Sequence, residues 1–507
     1  MSRWWLEWIQ SILQSTLDWI HAIQGKSPRK EGTAFLQRDV HVPTPIVAAG
    51  AVAALFVVLV PRVGFQITHL CALAGILALL LVFFVLYFRS DLPQFVHDDE
   101  AVFLTGLCVV FGVLLIESSL RISNMSFAAI PLGAVAILVT LLLHMRLAVV
   151  ISIVLSLQAG MIYHDSLDVT LTLFAACAAG ILASRRVHTR GDILRAGLHI
   201  AWVTFAALVF MDALRGHLFT RAHTLGWALL PHAGWALLGG VLSAGLALAL
   251  LPFLESFFSR LTNITLLELG DFNRPLLRRL MLEAPGTYHH TLLVAALAEQ
   301  AAEAIGANSL LARVGMYYHD IGKMLHPEYF IENQTMRRSA KEKPERHDKL
   351  NPSISSLVIL SHVKDGMALA RAYNVPQDIA RFIPEHHGTS LIKYFYVQAL
   401  EQDEEQAAAA ESSYRYPGPR PHSKETAIGM MADSVEAASR ALEEPTYERL
   451  HDLVEKIVFS KLEDNQFDEC PLTMQDLRKI INSFAQALSA IYHVRIEYPE
   501  MQRQPKA

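Results

Sequence analysis

The sequence predicts an all-α protein: a polytopic transmembrane helical bundle followed by a cytoplasmic all-α domain. Two observations carry that expectation. Long apolar runs fill residues 46–254, and from residue 255 onward apolar residues recur at helical spacing with no strand pattern of any length beside them. Of 507 residues, 52% are apolar and 18% charged, and the apolar excess lies in the first half.

Residues 1–45 read as an N-terminal cytoplasmic segment. Within it Trp5, Trp8, Ile9, Ile12, Leu13, Trp19, Ile20 and Ile23 follow helical spacing, as in a helix lying in the membrane interface. Eight runs follow, near 46–63, 67–88, 101–120, 127–144, 147–163, 168–184, 197–214 and 227–254. Each approaches the length needed to cross a hydrocarbon core of roughly 30 Å. Arg185, Arg186, Arg190 and Arg195 crowd one connection, and Arg3, Lys26, Arg29, Lys30 and Arg38 precede the first run. An even number of spans puts both groups, and the C-terminal domain, on the cytoplasmic side; Arg215 and Arg221 oppose them. Glu117, His144, Gln158, His199 and Asp212 fall within the runs, but most lie near run ends, and no broken pair of spans repeats, so anchoring or sensing is favoured over transport.

Residues 255–285 read as a helical connector, 286–500 as the soluble domain and 501–507 as a tail. Helices are expected from Thr287 to Ile305, closing at Gly306, then over Leu310–His319 and over 352–372, 377–387, 425–441, 446–462 and 473–491. The acidic, then Ala-rich, then Pro-rich stretch 401–424 is expected as a long loop. The net charge of −5 argues for no particular partner, and because Lys and Arg do not gather into one stripe, no nucleic-acid polymer is expected as partner. Cys71, Cys108, Cys177 and Cys470 have no zinc or disulfide spacing.

The chemistry begins at Tyr317-Tyr318-His319-Asp320-Ile321-Gly322-Lys323. A His-Asp doublet alone carries nothing, and His164-Asp165 and His347-Asp348 are decoys. Its company sets this one apart: with His319 and Asp320, the residues His290, His362, His386, His387 and Asp433 make five histidines and two aspartates, the inventory of a two-metal hydrolase. Taken singly, a histidine on an apolar face is more often a core residue, and His289 competes with His290. Asp320, after Val314, Met316, Tyr317 and Tyr318, and Asp433, among Met430, Met431 and Ala432, are harder to place otherwise. A buried acid needs a cation or hydrogen bonds. His386-His387 lie between Pro384 and Gly388, at a helix end where both rings can turn to one site. In such a centre a carboxylate bridges two divalent ions, which share a hydroxide that attacks phosphorus in line. Lys323, three residues after Asp320, is positioned to neutralise phosphoryl oxygens. An imidazole-rich, thiolate-free set suits iron or manganese.

These stretches resemble a known family. Glu283-Ala284-Pro285-Gly286-Thr287-Tyr288-His289-His290, the His319 motif, Phe330-Ile331-Glu332-Asn333-Gln334, Leu360-Ser361-His362-Val363-Lys364-Asp365-Gly366, Glu385-His386-His387-Gly388-Thr389 and Ala432-Asp433-Ser434-Val435-Glu436-Ala437 are similar to the membrane-anchored HD-domain phosphohydrolases of the PgpH type. Arg415-Tyr416-Pro417-Gly418-Pro419 and Arg495-Ile496-Glu497-Tyr498-Pro499 extend the likeness, which is dense over about 255–500 and rests on layout over 64–254.

The resemblance implies a multi-pass protein of the bacterial inner membrane that hydrolyses cyclic di-AMP to linear pApA. It gives one metal to His290, His319, Asp320 and Asp433, and the second to Asp320 with His362, His386 and His387, choosing His290 over His289. Lys323 becomes a phosphate contact. The implied partners are the cyclic dinucleotide and the lipid membrane, with a homodimer left open; the implied cofactors are two divalent ions, iron or manganese. Members commonly carry an extracytoplasmic domain after the first span, for which Pro61–Gln66 leaves no room.

Two related activities and one passive role compete. The cyclic di-GMP branch has Gly-Tyr-Pro after His-His-Gly, whereas Thr389-Ser390-Leu391 follows here; guanosine tetraphosphate hydrolases follow His-Asp with an acidic pair, whereas Ile321-Gly322-Lys323 follows here. A nucleotide-sensing receptor without turnover would have no reason to keep all seven ligands.

Overall fold

The computed structural model describes residues 98–492 apart from 165, 186, 217–224, 338–350 and 443, together with positions 68, 71 and 75. The interfacial Trp helix, the first two expected spans, Arg186, Arg221, the decoy at 347–348 and the closing 495–499 stretch lie outside the described residues. Among the described residues the fold is helical, with a single isolated bridge between Leu391 and Arg415.

The membrane half comprises α1 (Asp99–Arg121), α2 (Leu132–Leu142), α3 (Met145–Ile162), α4 (Leu167–Ser184), α5 (Arg190–Leu214) and α6 (Leu225–Phe257). Five of these are long and apolar enough to cross a membrane. The expected span at 127–144 is shorter than its hydropathy suggests. Pro131 stands at its N-cap, leaving an 11-residue helix. At 1.5 Å per residue it reaches roughly half the hydrocarbon thickness. Residues 132–139 are all buried, so α2 is a plug surrounded by the other helices rather than a lipid-facing span.

Both edges of the bundle are tied by charge. On one, Arg215 pairs with Asp168 at 2.5 Å. On the other, Arg260 grips Asp98, the N-cap of α1, at 2.5 Å, and Arg190 reaches Glu268 at 2.9 Å. Glu268 lies on α7 (Asn263–Leu269), the first connector helix, and α8 (Pro275–Glu283) follows. The connector is therefore two short helices, broken where Gly270 caps the first.

The C-terminal half is built on α9 (Pro285–Ile305), with α10 (Ser309–Tyr318), α11 (Ile331–Arg337), α12 (Pro352–Ala372), α13 (Gln377–Ala380), α14 (Phe382–Glu385), α15 (Lys393–Gln402), α16 (Glu404–Ala409), α17 (Lys424–Ser439), α18 (Tyr447–Glu463) and α19 (Met474–Ile491). Pro285 opens α9 at its first position, where no amide hydrogen is needed, and Gly306 closes it at φ 70°. The N-terminal amides of Gly286 and Thr287 donate to Asn333 Oδ1 at 2.8 and 3.1 Å, so α11 caps α9. Val294, Leu297, Ala298, Met316, Phe382, Ile428, Met431, Val454, Ile480 and Phe484 form one core; Leu277, Leu280, Val314, Tyr318, Ile321, Val363 and Ile383 form a second beside the connector.

Two expectations change here. The 377–387 helix is two single turns, because Pro384 has no amide hydrogen to donate back to the Ala380 carbonyl. The 401–424 stretch is partly helical: its acidic and Ala-rich part forms α16, and only 415–423 is irregular. That remainder is not loose. Tyr416 N donates to Ser390 O at 3.1 Å, Ile392 N donates to Tyr414 O at 2.8 Å, and Arg415 donates to Thr389 O and Asp464 at 3.1 Å each.

Candidate metal centre

Four local structures deliver the ligand candidates. On α9, His290 is buried and His289 exposed, which decides between the two. His319 is the C-cap of α10, and Asp320 begins a 3-10 turn, Ile321–Leu325, so the doublet sits where one helix ends and the chain tightens. Gly322 makes that turn feasible: a Cβ there would strike the His362 carbonyl and come within 2.6 Å of Gly366 N on α12. His362 comes from the middle of α12 and Asp433 from the middle of the largely buried α17. His386 and His387 follow α14, where Gly388 at φ 54° reverses the chain, and Gln466 Oε1 accepts from Thr389 N at 2.9 Å to hold the reversal.

The seven candidates meet as two groups, His290, His319, Asp320 and Asp433 in one and His362, His386 and His387 in the other. Asp320 lies between them. Its Oδ2 faces His319 Nε2 at 3.1 Å and His290 Nε2 at 3.6 Å; its Oδ1 faces His362 Nε2 at 3.5 Å and His386 Nε2 at 3.6 Å. Asp433 approaches both: Oδ1 lies 3.0 Å from His290 Nε2, and Oδ2 lies 3.9 Å from His387 Nδ1.

The rings are fixed from behind. Nδ1 donates to the Met316 carbonyl in His319 (2.7 Å), to Ile359 in His362 (2.6 Å) and to Phe382 in His386 (2.9 Å). In the neutral form of each ring, such a bond leaves the Nε2 lone pair turned inward. The Nε2 atoms of those three rings and Asp320 Oδ1 have no hydrogen-bond partner among the described residues, although all are buried. A buried polar atom left unpaired costs on the order of 1–3 kcal/mol. Four such atoms converging on one space fit divalent cations, which satisfy lone pairs and need no donor.

Electrostatics sort the two groups. Burial works against a charge on His319, but Asp320 and Asp433 outweigh it and push the ring up to about 10. Burial alone dominates at His386, down to about 3, and at His387, held well below the usual histidine range. Burial likewise opposes ionised Asp320, yet His319 and Lys323 hold its carboxyl well below the usual carboxylate range. The second group is thus three neutral imidazoles, ready as donors, and the carboxylates lie toward the first.

Lys323 does not stand out in an open cleft. Its Nζ lies 2.6 Å from Asp320 Oδ2 and 3.0 Å from Glu332 Oε1, over the Phe330 ring. Residues that sequence reasoning did not assign complete the surroundings. Glu436 Oε2 accepts from His290 Nδ1 at 2.7 Å and is itself clamped by Arg440 at 2.6 Å. It lies three residues after Asp433, on the same helical face, and that spacing was the available signal. Tyr416 stacks on His387 with ring centroids 4.0 Å apart. Its signal was the Arg-Tyr-Pro-Gly-Pro stretch, though nothing in the stretch named its target.

Glu436 gives a first prediction. Glu436→Gln removes the charge behind His290 while keeping the shape, and should weaken manganese binding roughly 10–100-fold. Isothermal titration of the metal-stripped protein measures it; unchanged affinity would remove Glu436 from the centre.

A bundle of membrane helices carrying a helical domain with two facing His/Asp groups defines a class: membrane proteins that carry an HD hydrolase domain. Residues 67–262 match the family described as 7TM receptor with intracellular HD hydrolase, and residues 287–438 match the HD domain. The cyclic-di-AMP phosphodiesterase PgpH of Bacillus subtilis (strain 168) is 37% identical over 433 residues, which cover 83% of this chain and 59% of that protein. The cyclic-di-AMP phosphodiesterase PgpH of Listeria monocytogenes serotype 1/2a (strain 10403S) is 36% identical over 403 residues, 79% of this chain and 54% of that protein. The chain therefore spans just over half the length of these curated relatives. The crystal structure of the L. monocytogenes PgpH HD domain in complex with cyclic-di-AMP is 45% identical, covers 44% of this chain and 100% of that one, and superposes with a TM-score of 0.41.

Proposed function

We propose that this protein is a membrane-bound, metal-dependent phosphodiesterase that hydrolyses cyclic di-AMP to pApA, with its HD domain in the cytoplasm of a bacterial cell. The observation that carries the reading is Asp320, one oxygen turned to each histidine group, in a chain similar to phosphodiesterases of that substrate. His290, His319, Asp320 and Asp433 would hold one divalent ion, and Asp320, His362, His386 and His387 the other. Iron or manganese suits a set of five imidazoles and two carboxylates without thiolate. Bound there, the ions would supply Lewis acidity toward phosphoryl oxygens and a water of lowered pKa.

The chain's own residues do the rest. Water adds to phosphorus, the bond to one ribose 3′ oxygen breaks, and that oxygen leaves with a proton; one ring opening gives pApA. Lys323, engaged by Asp320 and Glu332, keeps the shared carboxylate ionised, a positioning role rather than the phosphate contact read from sequence. Lys461 takes that contact instead. Its Nζ donates to Ser390 Oγ at 2.8 Å, three residues beyond His387, and it pairs with no carboxylate among the described residues. Burial lowers it to about 8, against a partial offset from Asp433 and Asp464. Tyr416, packed over His387, fixes that ring.

Charge supports this side of the membrane. Arg146, Arg185, Arg190, Arg195 and Arg260 lie at the bundle edge nearest the HD domain, and Arg121 and Arg215 at the other. Positive residues favour the cytoplasmic face.

The deciding assay presents the purified full-length, manganese- or iron-loaded protein separately with cyclic di-AMP, cyclic di-GMP and guanosine tetraphosphate. Conversion of the first to pApA, well ahead of the others, is expected; preference for another nucleotide, or binding without turnover, would replace the proposal. Lys461→Met should lower kcat/KM about 10–100-fold at pH 7 with metal content unchanged. The lysine is charged below pH 8 and neutral above it, so the wild-type advantage over Lys461→Met should shrink as pH rises through about 8. A ratio constant from pH 6.5 to about 9 would rule out Lys461 as the phosphate contact.

A further inference from the structure

A cavity of about 380 Å³ lies where the membrane bundle meets the HD domain. The α2–α3 turn, the end of α4, the start of α7 and Asn308 surround it. That volume is within the range of small-molecule sites. Its lining has one polar character: Arg185 and no acidic side chain, with Ser184, Asn263 and Asn308 beside it.

Two of these groups are unspent. Ser184 is 3% exposed, and its hydroxyl has no hydrogen-bond partner among the described residues. Arg185 makes no ion pair with any described residue, although Arg190 and Arg260 on the same edge each have one. An orphaned donor and an unpaired guanidinium in one cavity call for an anion with several acceptor oxygens. The cavity opens at the ends of the spanning helices, the depth at which lipid headgroups lie.

We infer that this junction cavity binds a phosphate-bearing anion, a phospholipid headgroup or free phosphate, through Arg185 and Ser184. Asn308 connects it to the metal centre. Its side chain caps α10, the helix that ends in His319, with Leu311 N donating to Oδ1 at 3.0 Å. Its backbone N donates to Glu425 Oε1 at 2.9 Å, in the first turn of α17, the helix that carries Asp433. The α10 helix thus begins at the cavity wall and α17 is tied to that wall through Glu425, so an occupant bears on both.

The test uses the full chain in nanodiscs of phosphatidylcholine alone, of phosphatidylcholine with phosphatidylglycerol, and of phosphatidylcholine with added inorganic phosphate. Thermal unfolding and native mass spectrometry read binding, and manganese titration reads the coupling. Phosphatidylglycerol should be retained and raise Tm, and Ser184→Ala combined with Arg185→Gln should weaken it about tenfold. A response to inorganic phosphate of equal size assigns the site to the free anion. No response to either, or an equal response in the double variant, overturns the proposal; Ser184→Ala alone serves if the double variant does not fold. Manganese affinity should shift on lipid binding in the wild type only, and an unshifted affinity would refute the link through Asn308. Neither binding readout depends on cyclic di-AMP turnover, so failure of the proposed reaction is distinguished from failure of this site.

Discussion

Asp320→Ala should disable both halves of the metal centre together. Asp320 is 1% exposed, and its two oxygens face different histidine groups; once it is gone, only Asp433 approaches both groups, and His362 and His386 lose the carboxylate they face. Replacing even an outer partner of a metal ligand costs roughly 10–100-fold in affinity, so loss of the shared carboxylate should exceed about 100-fold at each ion. Turnover of cyclic di-AMP should fall at least about 1,000-fold, since both ions lose their position. The substitution also leaves Lys323 with Glu332 alone, so the variant's fold is checked by circular dichroism beside Asp320→Asn, which keeps the side-chain volume. Two ions retained per folded Asp320→Ala chain, or turnover near wild type, would reject the bridging assignment.

Gly322→Ala tests the scaffold instead of the ligands. An added methyl group at Gly322 would be driven into the backbone of α12 at His362 and Gly366. Backbone cannot swing aside as a side-chain end can, so the turn carrying Asp320 and the helix carrying His362 must separate. Overpacking of this kind costs about 3 kcal/mol at the upper end of its usual range. In a domain of this size that lowers Tm by roughly 6–12 °C. Calorimetry of the metal-stripped protein measures the loss, and manganese titration should show weakened binding in the fraction still folded. A Tm within a degree of wild type would mean that the two elements are not locked together as described.

The glycine also shows how far a sequence can be read. Gly322 stood inside the motif Ile321-Gly322-Lys323, but nothing in the chain said which distant backbone it must admit. Lys323 shows a related limit. Its spacing from Asp320 was correct, and the two do share a face. What spacing could not supply was Glu332 on α11, which fixes the ammonium against Asp320 from the other side. Lys461, on α18, carried no local signal; only the fold brings it beside Ser390.

By itself, the sequence determined what depends on local periodicity and local cost. Apolar runs marked the membrane helices, because lipid admits few charges. The end of α9 followed Gly306, because glycine suits a helix C-terminus, whereas its start falls at Pro285, two residues before the Thr287 expected. Asp320 and Asp433 betrayed the centre, because a carboxylate among apolar neighbours needs a cation. Tertiary structure decided the rest: that residues 132–142 form a buried plug rather than a span, that His290 and not His289 faces inward, and which oxygen of Asp320 serves which group. Those outcomes depend on where helices far apart in the chain come to lie, and distances across a packed interior are not written in the spacing of any one of them.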